Sequence, residues 1–242
     1  PPTPVPADGV LGAGETFASG LVGLVNSLPI IADWNGDGVD DIGVYDPTTG
    51  ALARDLNASR TLTLPSDAGE QTVFLAGAQA TDQPIAAEFN VSIAGIEFGL
   101  YRPSTGEFFL DLNDTGVVGA GETIGGWPSG GRVAVADWDG DGDADLGTYD
   151  AFTGLLRRDT NGDRLFAPGE QTLYLVTPQP ADQPLAGDYG LTAGLEFGVY
   201  RPSTGEFFLD RNDNGLVLAS EVTTSWPGGT VDELPVIGDW DN

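Results

Sequence analysis

A short acidic run returns along this chain at regular intervals, and that return constrains the fold more than any other feature. Ile31-Ala32-Asp33-Trp34-Asn35-Gly36-Asp37-Gly38 aligns with Val135-Ala136-Asp137-Trp138-Asp139-Gly140-Asp141-Gly142. Ile237-Gly238-Asp239-Trp240-Asp241 opens a third copy, and Ala87-Glu88-Phe89-Asn90 and Gly187-Asp188-Tyr189-Gly190 are weaker ones. The leading acids at 33, 88, 137, 188 and 239 fall 55, 49, 51 and 51 residues apart, and Tyr45, Tyr101, Tyr149 and Tyr200 keep the same beat. A unit of about 51 residues that repeats in this way buries its apolar face against its neighbours.

A longer rhythm overlies the first. The strong copies alternate with weak ones, and the weak ones share an identical run from Tyr101 to Asp111 and from Tyr200 to Asp210. The chain therefore reads as two tandem double-units with overhangs. The divisions are a Pro-rich segment and overhanging last strand (1–28), repeats at 29–83, 84–131, 132–183 and 184–233, and an overhanging first strand (234–242).

Each unit reads as four short strands, in the first Pro29–Trp34, Asp41–Asp46, Ala51–Asp55 and Gln71–Gly77. They are rich in Val, Ile, Leu, Phe and Tyr and bounded by Gly, Pro and Asp. Pro47-Thr48-Thr49-Gly50 and Pro103-Ser104-Thr105-Gly106 suit hairpins, with Pro fixing φ and Gly supplying a positive φ. No segment has a capped 3.6-residue period, so the fold class is all-β with almost no helix. Four strands per unit is the pattern of a β-propeller blade, and a linear stack of β repeats is the alternative.

Two kinds of acidic loop join these strands. In the first kind, Asp33, Asn35, Asp37 and Asp41 place side-chain oxygens at intervals between the first two strands, and Val39 can offer its carbonyl. Asp137, Asp139, Asp141, Asp143 (through its carbonyl) and Asp145 repeat the arrangement. Oxygen donors without nitrogen or sulfur select Ca²⁺, and carboxylates this close repel one another without a cation. An ordinary Asp/Gly turn is the plainer reading. In the weak copies Glu88 and Glu97, or Asp188 and Glu196, bracket loops that have lost the middle ligands and bind metal poorly or not at all.

The second kind joins the third and fourth strands. Asp210, Asn212, Asn214, Leu216 (carbonyl) and Glu221 match the spacing of an EF-hand calcium loop, with Gly215 at the turn. Asp111, Asn113, Thr115, Val117 and Glu122 differ from it at Thr115. Asp159, Asn161, Asp163, Leu165 and Glu170 keep the spacing but put Arg164 where Gly is usual, which implies a strained or altered loop. Asp55, Asn57 and Ser59 begin a stretched version whose acid, Glu70, comes late. The flanks read as strands, so these are calcium loops outside an EF-hand domain, with a solvated turn as the alternative. The two loop types together imply about four to five Ca²⁺ ions.

The run from Ala32 to Tyr45 resembles the FG-GAP/VCBS repeats of bacterial surface proteins and integrin α chains. The resemblance covers most of the chain from about Pro29, strongly in two units and faintly in two. It implies a calcium-binding hairpin within a propeller blade, an extracellular or cell-surface location, and an adhesive or structural role. Propellers of that family usually have seven blades, more than four units supply.

Composition narrows the function. The formal charge is -28, all nine basic residues are Arg, and His, Cys, Met and Lys are absent. There is no imidazole, thiol or amine for catalysis, and so acidic a surface disfavours nucleic acid. No apolar run reaches membrane-span length. Adaptation to high salt also explains such a charge, though not its placement in loops. A carboxylate-pair glycosidase is the economical enzyme, but Glu107 and Glu206 follow Thr-Gly turns and read as hairpin residues, so no enzyme is expected. Trp34, Trp127, Trp138, Trp226 and Trp240 suit core packing better than a glycan platform, though a lectin-like propeller stays open.

The chain opens on Pro1-Pro2-Thr3-Pro4 and reads as a mature or cropped product. Its overhanging strands, Glu15–Val22 and Leu234–Trp240, suggest self-association head to tail into a filament or appendage. A crop from a larger adhesin is the competing reading. Asn57 and Asn90 head N-glycosylation tripeptides, as does Asn113, which is also a calcium-ligand candidate.

Overall fold

The computed structural model describes residues 18–19, 27–57, 61–62, 70–75, 77–119, 121–174, 177–187, 195–212, 214–217 and 221–224. These form an all-β chain; the helical element described in full is a 3₁₀ turn, Pro168–Glu170.

A two-residue strand β1 (Ala18–Ser19) precedes the repeats. The first unit contains β2 (Leu28–Ala32), β3 (Asp41–Asp46), β4 (Ala51–Asp55), β5 (Thr61–Leu62) and β6 (Glu70–Phe74). The second contains β7 (Gln83–Ala87), β8 (Glu97–Arg102), β9 (Glu107–Leu110) and β10 (Thr123–Ile124). The third contains β11 (Arg132–Val133), β12 (Gly147–Asp150), β13 (Leu155–Arg158) and β14 (Gln171–Leu173). The fourth contains β15 (Gln183–Gly187), β16 (Glu196–Arg201), β17 (Glu206–Leu209) and β18 (Val222–Thr224). Each unit is one four-stranded antiparallel sheet in chain order; in the first, β6 follows β4, and β5 leaves the sheet to pair in parallel with β1.

The expected strands of the first unit lie close to these bounds. The first ends at Ala32, because Trp34 N–H turns back to the Ala32 carbonyl at 3.0 Å and Asp33 already belongs to the loop. Of the overhang strands, only Ala18–Ser19 falls within the described residues; Leu234–Trp240 lies outside them.

One turn closes the middle hairpin of every sheet. The N–H of Gly50, Gly106, Gly154 and Gly205 donates to the carbonyl four residues earlier at 2.8, 2.9, 2.8 and 2.9 Å. All four glycines have φ between 70° and 74°. At Gly106 a Cβ would overlap the Trp127 carbonyl, so the position requires glycine twice over.

The sheets stand side by side through their first strands, β2 beside β7, β7 beside β11 and β11 beside β15. This is a blade-like succession, with one apolar core between each consecutive pair of sheets. Tyr45, Leu52 and Val73 meet Phe98 and Leu100. Ile85, Tyr101, Phe108 and Trp127 meet Leu146. Tyr149, Leu156 and Tyr174 meet Phe197, Val199 and Phe208. The recurring tyrosines are core residues, and so are the described tryptophans: Trp34 and Trp127 are buried, and Trp138 packs on the third core.

Candidate cation-binding loops

The two loops of the first kind fold alike. Asp33 Oδ1 accepts the N–H groups of Gly36 and Asp37 at 2.8 and 3.0 Å, and its Oδ2 accepts that of Gly38 at 2.7 Å. Asp137 does the same for Gly140, Asp141 and Gly142 at 2.6, 3.1 and 3.0 Å. The leading acid thus pins a tight turn that its Asp-x-x-Gly spacing allows, with positive φ at Gly36, Gly38, Gly140 and Gly142.

At the far end of the loop, Asp145 Oδ2 accepts Trp138 N–H at 2.8 Å and Asp139 N–H at 3.1 Å. One carboxylate oxygen from each of Asp137, Asp139 and Asp145 lies within 4.8 Å of the others, a spacing that one cation can bridge. In the first unit Asn35 Nδ2 donates to Asp41 Oδ2 at 3.0 Å, joining the second and last ligand positions. Asp37 and Asp141 sit on the exposed rim, where their Oδ1 atoms accept the N–H of Val39 and Asp143, both at 2.9 Å.

Burial raises the Asp41 carboxyl to about 6, and neighbouring Asp55, Asp37, Asp33 and Asp40 push in the same direction. Burial also raises Asp145 to about 6; hydrogen bonds from Trp138 and Asp139 oppose the rise, and the charges of Asp139 and Asp159 add to it.

The second kind of loop has its own repeated geometry. Asp111 takes the N–H of Thr115 and Gly116 at 3.0 and 2.6 Å, and Asp210 takes those of Asn214 and Gly215 at 3.1 and 2.7 Å. Asp159 takes that of Arg164 at 2.6 Å. The second and last ligands also meet: Asn161 Nδ2 donates to Glu170 Oε1 at 3.2 Å, and Asn212 Nδ2 to Glu221 Oε1 at 2.6 Å. Glu122 and Glu221 are buried, and burial raises the Asp111 carboxyl. Asn113 Oδ1 accepts Thr115 N–H, Asp163 Oδ1 accepts Leu165 N–H, and Asn214 Oδ1 accepts Leu216 N–H.

The residues expected to offer carbonyls, Val39, Val117, Leu165 and Leu216, all turn their side chains to solvent. The residue after each of the last three, Val118, Phe166 or Val217, instead packs into the core shared with the preceding unit. Leu62, at the same offset from Asp55, is fully buried. In the stretched first-unit loop, Asp55 is buried and accepts Asn57 N–H at 3.1 Å, while Glu70 pairs with it across β4 and β6; Ser59 lies outside the described residues.

Arg164 accounts for the altered third-unit loop. It adopts φ 61°, close to the 78° and 77° of Gly116 and Gly215. Its Nη2 donates to the Phe89 carbonyl at 2.7 Å, and its own carbonyl accepts Trp127 Nε1–H at 3.2 Å. The strained residue ties the third unit to the second.

The sequence presents the two loop types as separate sites, whereas the sheets bring them to one edge. The acid closing the first loop begins the second strand or, as Asp145, just precedes it, and the acid opening the second loop ends the third strand, as Asp55, or follows it. The N–H of Asp111, Asp159 and Asp210 donates to Phe98, Leu146 and Phe197, each the residue after a closing acid. The pairs Asp41/Asp55, Glu97/Asp111, Asp145/Asp159 and Glu196/Asp210 are all at most 5% exposed. Glu97 and Glu196 were legible only as remnants of weak loops; register makes them equivalents of Asp41 and Asp145.

The other candidates are dispersed. Glu107 and Glu206 each accept the hydroxyl of their own hairpin's Thr105 or Thr204 at 2.6 Å. Asn90 uses its amide to bond the Leu112 carbonyl at 3.1 Å.

No family model matches the chain, and no curated protein matches it. Among solved structures it is similar to a lectin of Agrocybe aegerita described for specific recognition of non-reducing terminal N-acetylglucosamine. The TM-score is 0.50 and the identity 15%, over 82% of this chain and 52% of the lectin. The chain thus spans about half the length of that structure, and the likeness is one of fold.

Proposed function

We propose that the protein is a calcium-stabilised extracellular β-repeat scaffold of the FG-GAP/VCBS type, structural or adhesive in role and without catalysis. The observation that carries this reading is the buried acid pair at the same edge of all four sheets. Burying carboxylates near one another is costly unless a cation offsets their charge. Asp33, Asn35, Asp37, the Val39 carbonyl and Asp41 would hold one ion, and the corresponding residues from Asp137 to Asp145 another. The loops opened by Asp111, Asp159 and Asp210 would hold the rest. Calcium supplies only charge and coordination here; the chain supplies the turn geometry and the packing that the ion fastens.

The way the units join favours self-association. Ala86 and Val135 pack against the core of the preceding unit, whereas their counterpart Ile31 is 55% exposed. The first sheet thus presents a face of the kind that the second and third bury. A second copy supplying a fourth-unit core would continue the stack head to tail. Sedimentation with calcium and with chelator tests this: a calcium-dependent series of oligomers is expected, and a monomer in both conditions removes the assembly.

The fold likeness to the N-acetylglucosamine-recognising lectin favours a second reading, a glycan-binding repeat protein. The described tryptophans are committed to cores, so a sugar site would use other residues. Specific hits on a glycan array would select this reading.

A further inference from the structure

The second unit lacks the acidic motif, yet it holds a carboxylate oxygen with no hydrogen-bond partner. Glu97 is 0% exposed. Its Oε2 accepts Phe89 N–H at 2.7 Å, while Oε1 is buried and unbonded. In the third unit Asp145 Oδ2 likewise accepts the N–H of Trp138, the counterpart of Phe89, and Asp145 also contributes to the acid triad with Asp137 and Asp139. Glu97 therefore repeats half of that arrangement and leaves the other half vacant.

Other oxygens belong to the same loop or reach it. Glu88 is the counterpart of Asp137; its Oε1 accepts Asn90 N–H at 3.3 Å, and its charge acts on Glu97. Asn90 Oδ1 accepts Ser92 N–H at 3.2 Å. Asp143 of the third unit reaches across to Val91 N–H at 3.0 Å, and Ala144 N–H bonds the Glu88 carbonyl at 2.5 Å. Arg164 also arrives here, but its guanidinium bonds the Phe89 carbonyl.

We propose that Glu97 and Glu88, with loop oxygens around Asn90 and Asp143 beside them, hold a divalent oxygen-preferring cation at the joint between the second and third units. Two carboxylates and neutral oxygens suit Ca²⁺ or Mn²⁺ and offer nothing to softer metals. The site rests on the calcium reading above only for its choice of ion, and it would fasten two units rather than one hairpin.

Crystals grown with Mn²⁺ at pH 8 test the site through anomalous scattering. A peak in contact with the Glu97 carboxylate is expected, in addition to peaks at Asp137–Asp145 and Asp33–Asp41. Peaks in those strong loops with none at Glu97 overturn this site alone, and no peaks anywhere overturn it together with the calcium reading. Calcium stoichiometry by equilibrium dialysis gives an independent measure. Glu97→Gln should bind one ion fewer per chain with an unchanged far-ultraviolet spectrum. Should Glu97→Gln fail to fold, the half-exposed Glu88→Gln carries the same comparison. Unchanged stoichiometry and affinity in a folded variant show that a proton, not a metal, satisfies Glu97, and reject the proposal.

Discussion

Arg201 grips Asp182 through two hydrogen bonds, Nε to Oδ1 at 2.9 Å and Nη2 to Oδ2 at 2.8 Å, and Arg102 holds Asp82 in the same way at 3.0 and 2.8 Å. Each guanidinium also reaches a carbonyl in the preceding connection, Thr177 or Gly77, at 2.8 Å and lies 4.5 Å from a phenylalanine ring. The pair staples the entry of a weak unit to its middle hairpin. Asp182 is fully buried, so Arg201→Ala strands a charge and should cost about 3–5 kcal/mol in urea unfolding. Arg201→Lys should restore only part of this, because an ammonium cannot reproduce the two parallel bonds. A loss below about 1 kcal/mol for Arg201→Ala would count against the staple.

Two glycines with positive φ separate backbone strain from steric overlap. Gly142 has φ 101° and open space where a Cβ would go, whereas a Cβ on Gly106, at φ 72°, would run into the Trp127 carbonyl. Gly142→Ala should cost about 1–2 kcal/mol from backbone conformation alone. Gly106→Ala should cost clearly more and disturb Trp127, whose near-ultraviolet circular dichroism reports the change.

Much of this was legible in the sequence, and the limits are physical. The acid spacing and the Pro-x-Thr-Gly turns place strands and loops, because both depend on residues close in the chain. The four-stranded sheets follow closely, with Asp41–Asp46 and Ala51–Asp55 matching to the residue. The meeting of the two loop types at one edge was not legible, since it depends on which strand ends share a side of the sheet. Nor was the role of Arg164, whose partner Phe89 lies 75 residues away. Glu97 reads in the sequence only as the closing acid of a degenerate loop for a related reason: its importance comes from complete burial, which the spacing does not show.

The metal-free protein should lose stability as pH rises through the weakly acidic range. Burial lifts Glu97 to about 7, against backbone hydrogen bonds from Phe89 that lower it, and lifts Asp41 and Asp145 to about 6. A carboxyl whose folded pKa lies above its unfolded value holds a proton in the folded state that the unfolded state has released. Stability therefore falls between about pH 4 and 7, by an order of 1–3 kcal/mol per group, and levels off above that window. Chemical unfolding in chelator at pH 5 and pH 7.5 measures the difference, and Glu97→Gln should reduce it, leaving the part due to Asp41 and Asp145. Greater stability at pH 7.5 than at pH 5 in chelator would contradict the assignment.

Calcium should reverse that slope. An ion bound only to the folded chain adds about 2.7 kcal/mol at a free concentration one hundred times its dissociation constant. Saturating calcium at pH 7.5 should therefore raise Tm well above its value in chelator. Asp145→Asn tests one contributor: it removes a charge from the Asp137, Asp139 and Asp145 triad while keeping an oxygen to receive the Trp138 and Asp139 N–H groups. In chelator this variant should be as stable as the parent or more so, since a buried carboxylate near Asp139 and Asp159 has been neutralised. In calcium it should be less stable, having lost the ion that offset those charges. Purely structural damage would lower Tm in both media, so the sign change between them identifies Asp145 as a ligand.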